Sequence, residues 1–252
     1  MFWRQSVLAT AAILVAIAPT SAQTETQRMR YDVSLLGLPI ARAVFESRIN
    51  DSGFAVAGSF SSAGVARIFD KTDGTVIVTG RFGEGASRPQ DYSLDYKSGK
   101  KKQITQIRFD GSRVTNTVNE PPLRKRGNEW VPLQESHLQE VADPISALLL
   151  PAPSAESICN RTVRVYDGET RVDLVLTPAA GSEQFRQAEV TCSAQFVPVA
   201  GYRPTHSTIV HLRDKAKIRI GFDRVSQQGL YSPVEATIGT KIGTVHVRAR
   251  PA

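Results

Sequence analysis

The sequence predicts an all-β protein: one large curved or spiralled antiparallel sheet, an incomplete barrel, with one main short helix. Three observations predict it. Apolar and polar residues alternate with period two over most of residues 29–249, which is the spacing of half-buried strands and not of helices. Gly, Asp, Asn and Ser interrupt these runs at short intervals, as hairpin turns require. About a dozen consecutive runs of this kind make a sheet that must curl to protect its edges.

Taken in order, residues 29–36 and 40–49 flank Gly37-Leu38-Pro39, and Asn50-Asp51-Ser52-Gly53 turns the second run into residues 54–62. Val65, Ile68 and Phe69 have i, i+3, i+4 spacing, so a helical turn is expected before Lys71-Thr72-Asp73-Gly74 opens a strand over 75–82. Gly83-Glu84-Gly85-Ala86-Ser87 reads as a flexible loop ending at Pro89. Strands over 92–96, 104–109 and 113–118 follow, with turns at Ser98-Gly99 and Asp110-Gly111. Residues 119–142 lack periodicity and contain Pro121-Pro122, Arg124-Lys125-Arg126 and Trp130. They form a linker, a lid, or a loop packed across the sheet.

The main helix is predicted over 143–150: Asp143 caps it, Pro144 suits its first position and Pro151 stops it. Ile145, Leu148 and Leu149 form its apolar side, to pack on a sheet or plug a barrel end. Strands over 162–166 and 169–176 are joined by Asp167-Gly168, the strongest short hairpin signal in the chain. Further strands are expected over 188–197, 206–213, 215–222, 230–238 and 241–249. Residues 23–252 are thus read as one β-rich domain, either a single body or two packed halves joined by 119–142.

Residues 1–22 read as an export signal. Arg4 supplies the positive start, residues 7–18 are apolar, and Pro19-Thr20-Ser21-Ala22 ends in small residues suited to cleavage near Ala22. The apolar run falls short of the roughly 20 residues of a membrane-spanning helix, and no Cys follows it to accept a lipid. A periplasmic location is the expectation, with no transmembrane segment in the mature chain. The formal charge is +7, of which the leader carries only Arg4, so the mature chain is basic and suited to anionic partners. Export argues against nucleic acid and leaves envelope lipid, glycan or acidic protein.

Cys159 and Cys192 are the only cysteines, and an even count in an exported chain predicts a disulfide. Period-two alternation puts Cys159 with Val163 and Val165, and Cys192 with Val190, Ala194 and Phe196, so both sulfurs can point inward. A redox or metal pair is not expected: there is no C-x-x-C and no His at ligand spacing.

Several islands together resemble a known family. They are Tyr31 with Gly37-Leu38-Pro39-Ile40-Ala41, Pro89 with Tyr92, Asp143-Pro144-Ile145-Ser146-Ala147-Leu148, Val165-Tyr166-Asp167-Gly168 with Arg171, and Gly201-Tyr202-Arg203. The sequence resembles, over nearly the whole mature chain, an exported proteobacterial family known as domain of unknown function 3108. The resemblance implies a Gram-negative periplasmic protein and brings no activity or catalytic residues with it. The layout is similar to that of periplasmic lipoprotein carriers and β-spiral envelope-integrity proteins, a likeness of fold that does not set function.

No constellation for chemistry emerges. His206 and His211 are read as facing opposite sides of a strand, unable to share a metal. His137 and Glu140 have helical spacing but read as a solvated pair, and His246 sits with Arg248 and Arg250 on a wet strand face. No G-x-S-x-G, S-x-x-K or Cys-His pair is present. Ser146 reads as a helix-start hydroxyl, Gly83-x-Gly85 lacks the dinucleotide context, and Asp70 with Asp73 form a turn. No metal or cofactor is therefore expected. One candidate surface stands out: Lys215, Lys217 and Arg219 on one face of a strand, extended by Arg248 and Arg250 and joined by Arg164, as a face for an anionic partner or as edge protection.

These features favour a non-enzymatic binding protein for a lipid or other hydrophobic or anionic envelope component. Val33, Leu35, Phe45, Val76, Val78, Val172, Leu174, Ile218 and Ile220 are its expected inward set. A structural or protein-partner role in envelope maintenance is the alternative, and a hydrolase comes last.

Overall fold

A computed structural model describes residues 24–124, 127–226 and 229–252. The predicted leader, and Lys125 and Arg126 of the basic run, lie outside the described residues. The opening meander is β1 (Glu25–Leu35), β2 (Leu38–Asn50) and β3 (Gly53–Ser62), followed by the one-turn helix α1 (Ala66–Phe69). Next come β4 (Thr72–Gly83), β5 (Ala86–Ser98), β6 (Lys101–Asp110) and β7 (Arg113–Glu120). Past the irregular segment are β8 (Leu150–Pro151), β9 (Arg161–Tyr166), β10 (Arg171–Pro178) and β11 (Val190–Ala200). The chain ends with the helix α2 (Ser207–Asp214), β12 (Ile218–Ser226), β13 (Leu230–Thr240) and β14 (Gly243–Pro251).

All these strands join one antiparallel sheet of order β7-β6-β5-β4-β3-β2-β1-β14-β13-β12-β11-β10-β9, with β8 paired to β13. Nearly every neighbour in space is a neighbour in sequence, the exceptions being the short β8 against β13 and β1 against β14, the latter in the register Met29↔Pro251 to Leu35↔Val245. The outer strands β7 and β9 do not pair, so the sheet is mostly antiparallel, curled and not closed into a barrel.

Directly opposed residues share a face, and the registers carry one apolar face across the sheet. Val33 opposes Ala41 and Val247, Val247 opposes Ala236, and Ala236 opposes Ile220. In the other direction Phe45 opposes Gly58, Gly58 opposes Val76, and Val76 opposes Leu94. All nine residues of the expected inward set lie on this face.

The irregular segment stitches the two sheet ends together. The Val141 N–H donates to Ser112 O in the β6–β7 turn, while the Ala142 N–H donates to Arg164 O and Ala142 O accepts from the Tyr166 N–H on β9. Beside it, the Asn119 amide on β7 donates to Gly168 O in the β9–β10 turn at 3.0 Å. Gly168 has φ +98°, and a Cβ there would sit 2.4 Å from Thr105 Cγ2. Asn119 and Glu120 still belong to β7, and residues 141 and 142 pack across the gap as the third of the expected alternatives, a loop packed across the sheet, would have them do.

Three expectations are corrected. The predicted helix over 143–150 is a single 3-10 turn at Ser146–Leu148 that leads into extended Leu150–Pro151. Asp143 does cap it, its Oδ1 accepting from the N–H groups of Ile145 and Ser146, but only six residues separate the two prolines, Pro151 favours an extended Leu150, and so short a stretch cannot sustain an α-helix. Leu149 and Leu150 then enter different core clusters. The strand predicted over 206–213 is instead α2, the longest α-helix among the described residues. Its Ile209, Val210 and Leu212 are half-buried, and tertiary packing overrides the strand preference of its β-branched residues. Finally, 83–87 is a tight turn at Glu84-Gly85 with strand on both sides, and Ser87 is buried, donating to Leu149 O.

Candidate functional site

Because the sheet is a run of hairpins, its turns fall alternately at two ends. Turns at Asp51-Ser52, Glu84-Gly85 and Gly111-Ser112 mark the lower end. The β1–β2, β3–β4, β5–β6 and β13–β14 connections mark the upper end.

The lower end is filled. One cluster packs Ile49, Phe54, Val78, Tyr92 and Ile107 against Val141 and Leu149; the other packs Leu176, Phe222 and Tyr231 against Ala147, Leu150 and Ile158. Residues 141–159 therefore act as the plug. Cys159 and Cys192 are bonded within the second cluster, both buried.

The upper half of the same concave face is apolar but not filled. Tyr31 and Phe45 form its floor, rings edge to face at 5.6 Å, with the Tyr31 hydroxyl donating to Pro233 O at 3.0 Å. Burial pushes the Tyr31 hydroxyl above the usual phenol range. Level with Tyr31, Ala43 and Phe60 are only half-buried, as are Val33, Leu35, Val247 and Ile238 above it. From Tyr31 to Leu35 a strand rises about 13 Å at ~3.3 Å per residue, which sets the height of this upper apolar trough.

A second candidate lies at the seam, a cavity of about 270 Å³ lined by Ser87, Val141, Ser146, Leu150, Arg161 and Arg164, among others. Arg161 donates to Gly85 O, Pro151 O and Ser157 O, tying three elements together, and burial lowers its pKa. Among the described residues, Arg161 Nε, Ser146 Oγ and Asp143 Oδ2 are the buried side-chain polar atoms without a hydrogen-bond partner. Burial pushes the Asp143 carboxyl above its usual range, partly offset by bonds from Ser146 and Ile145.

Of the expected basic stripe, Arg219, Arg248 and Arg250 lie on the convex face, Lys217 immediately precedes β12, and Lys215 caps the C-terminus of α2 and is not part of the strand. Arg248 donates to Glu235 at 3.2 Å, and Arg219 donates to Thr237 and stacks over Phe185. Arg248 and Arg250 border a shallow hollow of about 460 Å³ with His246, Asp32 and Arg42, while Arg164 is engaged by Glu140.

His137 and Glu140 do not meet as a pair either: His137 Nδ1 accepts the Gln134 N–H, and Glu140 holds Arg164. His206 precedes α2 and His211 reaches Gly239 O from within it. Among the described residues no group of three His, Cys, Asp or Glu could hold a metal, and no helix is long and apolar enough to cross a membrane.

Sequence reasoning missed the upper rim. Leu36, Leu38, Val65, Ile68, Phe69 and Ile242 are all exposed there. Eight of the chain's nine lysines are described, and all eight lie at this end: Lys71, Lys97, Lys100, Lys101, Lys102, Lys215, Lys217 and Lys241. The signal was available, since each lysine sits in or beside a connection whose parity assigns it to one end.

A family model described as Protein of unknown function (DUF3108) matches residues 30–250. Among solved structures the chain is similar to a β-barrel-like protein of domain of unknown function DUF1849 from Brucella abortus. Identity is 10%, the TM-score is 0.44, and the match covers 92% of this chain and 98% of that one. No curated protein matches.

Proposed function

The chain belongs to the DUF3108 family of proteins of unknown function, and from that premise we propose that it is an exported, non-enzymatic periplasmic protein that holds a lipid acyl chain in the upper trough. The observation that carries this reading is the contrast within one face. The same alternating pattern is fully buried toward the lower end, at Ile49, Val56, Val76 and Val78, and only half-buried toward the upper end, at Val33, Leu35, Phe60 and Val247. Apolar surface kept from water is worth about 25 cal/mol per Å², so an apolar occupant is favoured there. The positions around the trough, Val33, Leu35, Ala41, Ala43, Phe60, Val245 and Val247, carry no charge. A height of about 13 Å is close to the ~15 Å half-thickness of a bilayer's hydrocarbon core. The leader pattern supports export, and the Cys159–Cys192 bond suits an oxidising compartment.

The alternative of a partner-binding convex face has less support, because Arg248 and Arg219 already have partners within the chain. Titration with a fluorescent fatty acid, paired with native mass spectrometry after gentle extraction, tests the reading. Uptake should be saturable, and Ala43→Trp, which opposes Tyr31 and Phe60, should weaken it about ten-fold or more, a loss of ~1.4 kcal/mol per decade. No uptake and no retained lipid in the unaltered protein would overturn it.

A further inference from the structure

We propose that the upper rim is a docking surface for an anionic phospholipid bilayer. Exposed apolar side chains are expected singly on any surface, but here they cluster. Of the eight large hydrophobics exposed among the described residues, six lie on three successive tips of one sheet edge. Leu36 and Leu38 are on the β1–β2 tip, Val65, Ile68 and Phe69 in and beside α1 between β3 and β4, and Ile242 on the β13–β14 tip. Phe69 is 88% exposed, Ile68 79%, and Leu36 and Ile242 71% each.

The tips form a continuous crest. The Ala63 N–H donates to Ile40 O at 2.9 Å, joining the first two. Gly243 lies so close to Leu36 that a Cβ there would be 2.7 Å from Leu36 Cδ2, joining the first and third. With strands about 4.8 Å apart, hairpin tips recur about every 10 Å, so the crest spans roughly the width of two or three lipid headgroups.

Lysines flank this crest on both sides. The β5–β6 tip carries Lys97, Lys100, Lys101 and Lys102, and it is fastened beside α1 by the Gly99 N–H donating to Lys71 O and Ser98 Oγ donating to Asp70. On the other side Lys241 sits on the β13–β14 tip itself, with Lys215 and Lys217 next to it through the Gly239 N–H donating to Lys217 O. All are exposed. Apolar side chains level with a ring of ammonium groups match the two layers of an anionic membrane interface, headgroup charge outside and hydrocarbon within. An acidic protein would satisfy the lysines but leave the projecting Ile68 and Phe69 without a hydrocarbon layer to enter. The trough lies at this same end, yet the docking stands without any ligand in the trough.

Sedimentation of the full-length chain with vesicles of phosphatidylethanolamine and phosphatidylglycerol, against phosphatidylcholine alone, tests it. All variants share the N-terminus, so its contribution cancels in ratios between them. Each lysine near an anionic surface contributes about a five-fold change in partitioning, and Lys100→Glu/Lys101→Glu/Lys241→Glu should lower binding to the anionic vesicles at least that much. Salt should weaken binding of the parent more than of this variant. Ile68→Ser/Phe69→Ser should lower binding at unchanged charge. In Phe69→Trp the indole emission should shift to the blue and be quenched by brominated lipid. Arg113→Glu, at the lower end, should change nothing. Unchanged partitioning of the lysine variant, an indole that stays unquenched on bound protein, or an equal loss in Arg113→Glu would each overturn the proposal, and none of these readouts involves fatty-acid uptake.

Discussion

Replacing Gly168 by Ala tests whether the two sheet ends meet where Asn119 and Gly168 are bonded. Two costs are expected. At φ +98° an L-residue is strained by about 1–2 kcal/mol. The new methyl would also start 2.4 Å from Thr105 Cγ2, and overpacking of a buried site costs about 1–3 kcal/mol. Thr105 is buried and its hydroxyl donates to Asn119 Oδ1 at 2.8 Å, so little room is available for relief. The sum is a loss of about 2–5 kcal/mol, read as a fall in the urea midpoint at constant slope. Thr105→Ser separates the two costs, because it removes the opposing methyl and keeps the hydroxyl. Alone it should cost about 0.8 kcal/mol for one buried carbon. Together with Gly168→Ala it should be milder than the sum by about 1–3 kcal/mol, the overpacking share. If the two changes add within ~0.5 kcal/mol, as distant sites do, the contact is absent and the sheet ends are not joined at this point.

Two further outcomes follow from the lower half. Replacing both cysteines, Cys159→Ala/Cys192→Ala, removes a crosslink over a sequence separation of 33 residues and should lower stability by about 3–4 kcal/mol on the chain-entropy account; a urea midpoint that hardly moves would mean that Ile158 and Leu176 hold this loop without the bond. Asp143→Asn addresses the carboxyl raised by burial. A raised pKa favours the protonated folded state, so its contribution to stability is present in full below the ordinary value near ~4 and is lost as pH rises through the raised one. The difference between parent and Asp143→Asn stability should therefore move in the variant's favour with rising pH from about 4 upward, and the opposite slope would show that the bonds from Ile145 and Ser146 outweigh desolvation.

The sheet was legible because period-two alternation and turn residues are local signals. Val33, Phe45, Val78 and Ile218 could all be assigned to one face without knowing which strands pair. Asp143 was legible as a cap for the same reason, since a cap needs only the next three residues. What followed it was not: whether residues 144–150 continue as a helix depends on Leu149 and Leu150 finding separate cores, which is tertiary information. The segment 207–214 failed in the opposite sense, because Thr208, Ile209 and Val210 favour a strand locally while α2 is fixed by contacts such as His211 with Gly239 O. The basic stripe changes with it. Once 207–214 is a helix, Lys215 caps that helix and leaves the strand, while Lys217 stays two residues before Arg219 with its carbonyl accepting from the Gly239 N–H. The upper rim was hidden for a different reason: Leu36, Phe69, Lys100 and Ile242 are far apart in sequence, and only the alternation of hairpin ends brings them together.

Most residues that carry the family resemblance have a place outside the trough, the exceptions being Tyr31 at its floor, Ala41 in its wall and Leu38 on the rim. Asp143 and Ser146 begin the plug, Tyr166 and Gly168 sit where β9 and its turn meet the opposite sheet end, and Gly201 takes a bond from its N–H to Val131 O on the crossing segment. Arg171, 5% exposed, donates to His137 O and to Asp173, so its charge is used to hold the same segment. Gly201 has φ +78°, and a Cβ on it would lie 2.0 Å from Glu169 O, so that position admits only glycine. These islands encode how a curled sheet that cannot close by strand pairing is closed by a loop instead. The trough is built from Val, Leu, Ala and Phe at positions where many combinations of similar volume would serve. Distinctive sequence here marks the hardest folding problem, the seam, whereas ligand contact falls on residues that look ordinary. A substitution in a seam island, such as Gly168 or Gly201, should therefore act first on stability, and one at Val33 or Val247 in the trough or at Ile68 or Phe69 on the rim should act on binding with stability nearly unchanged.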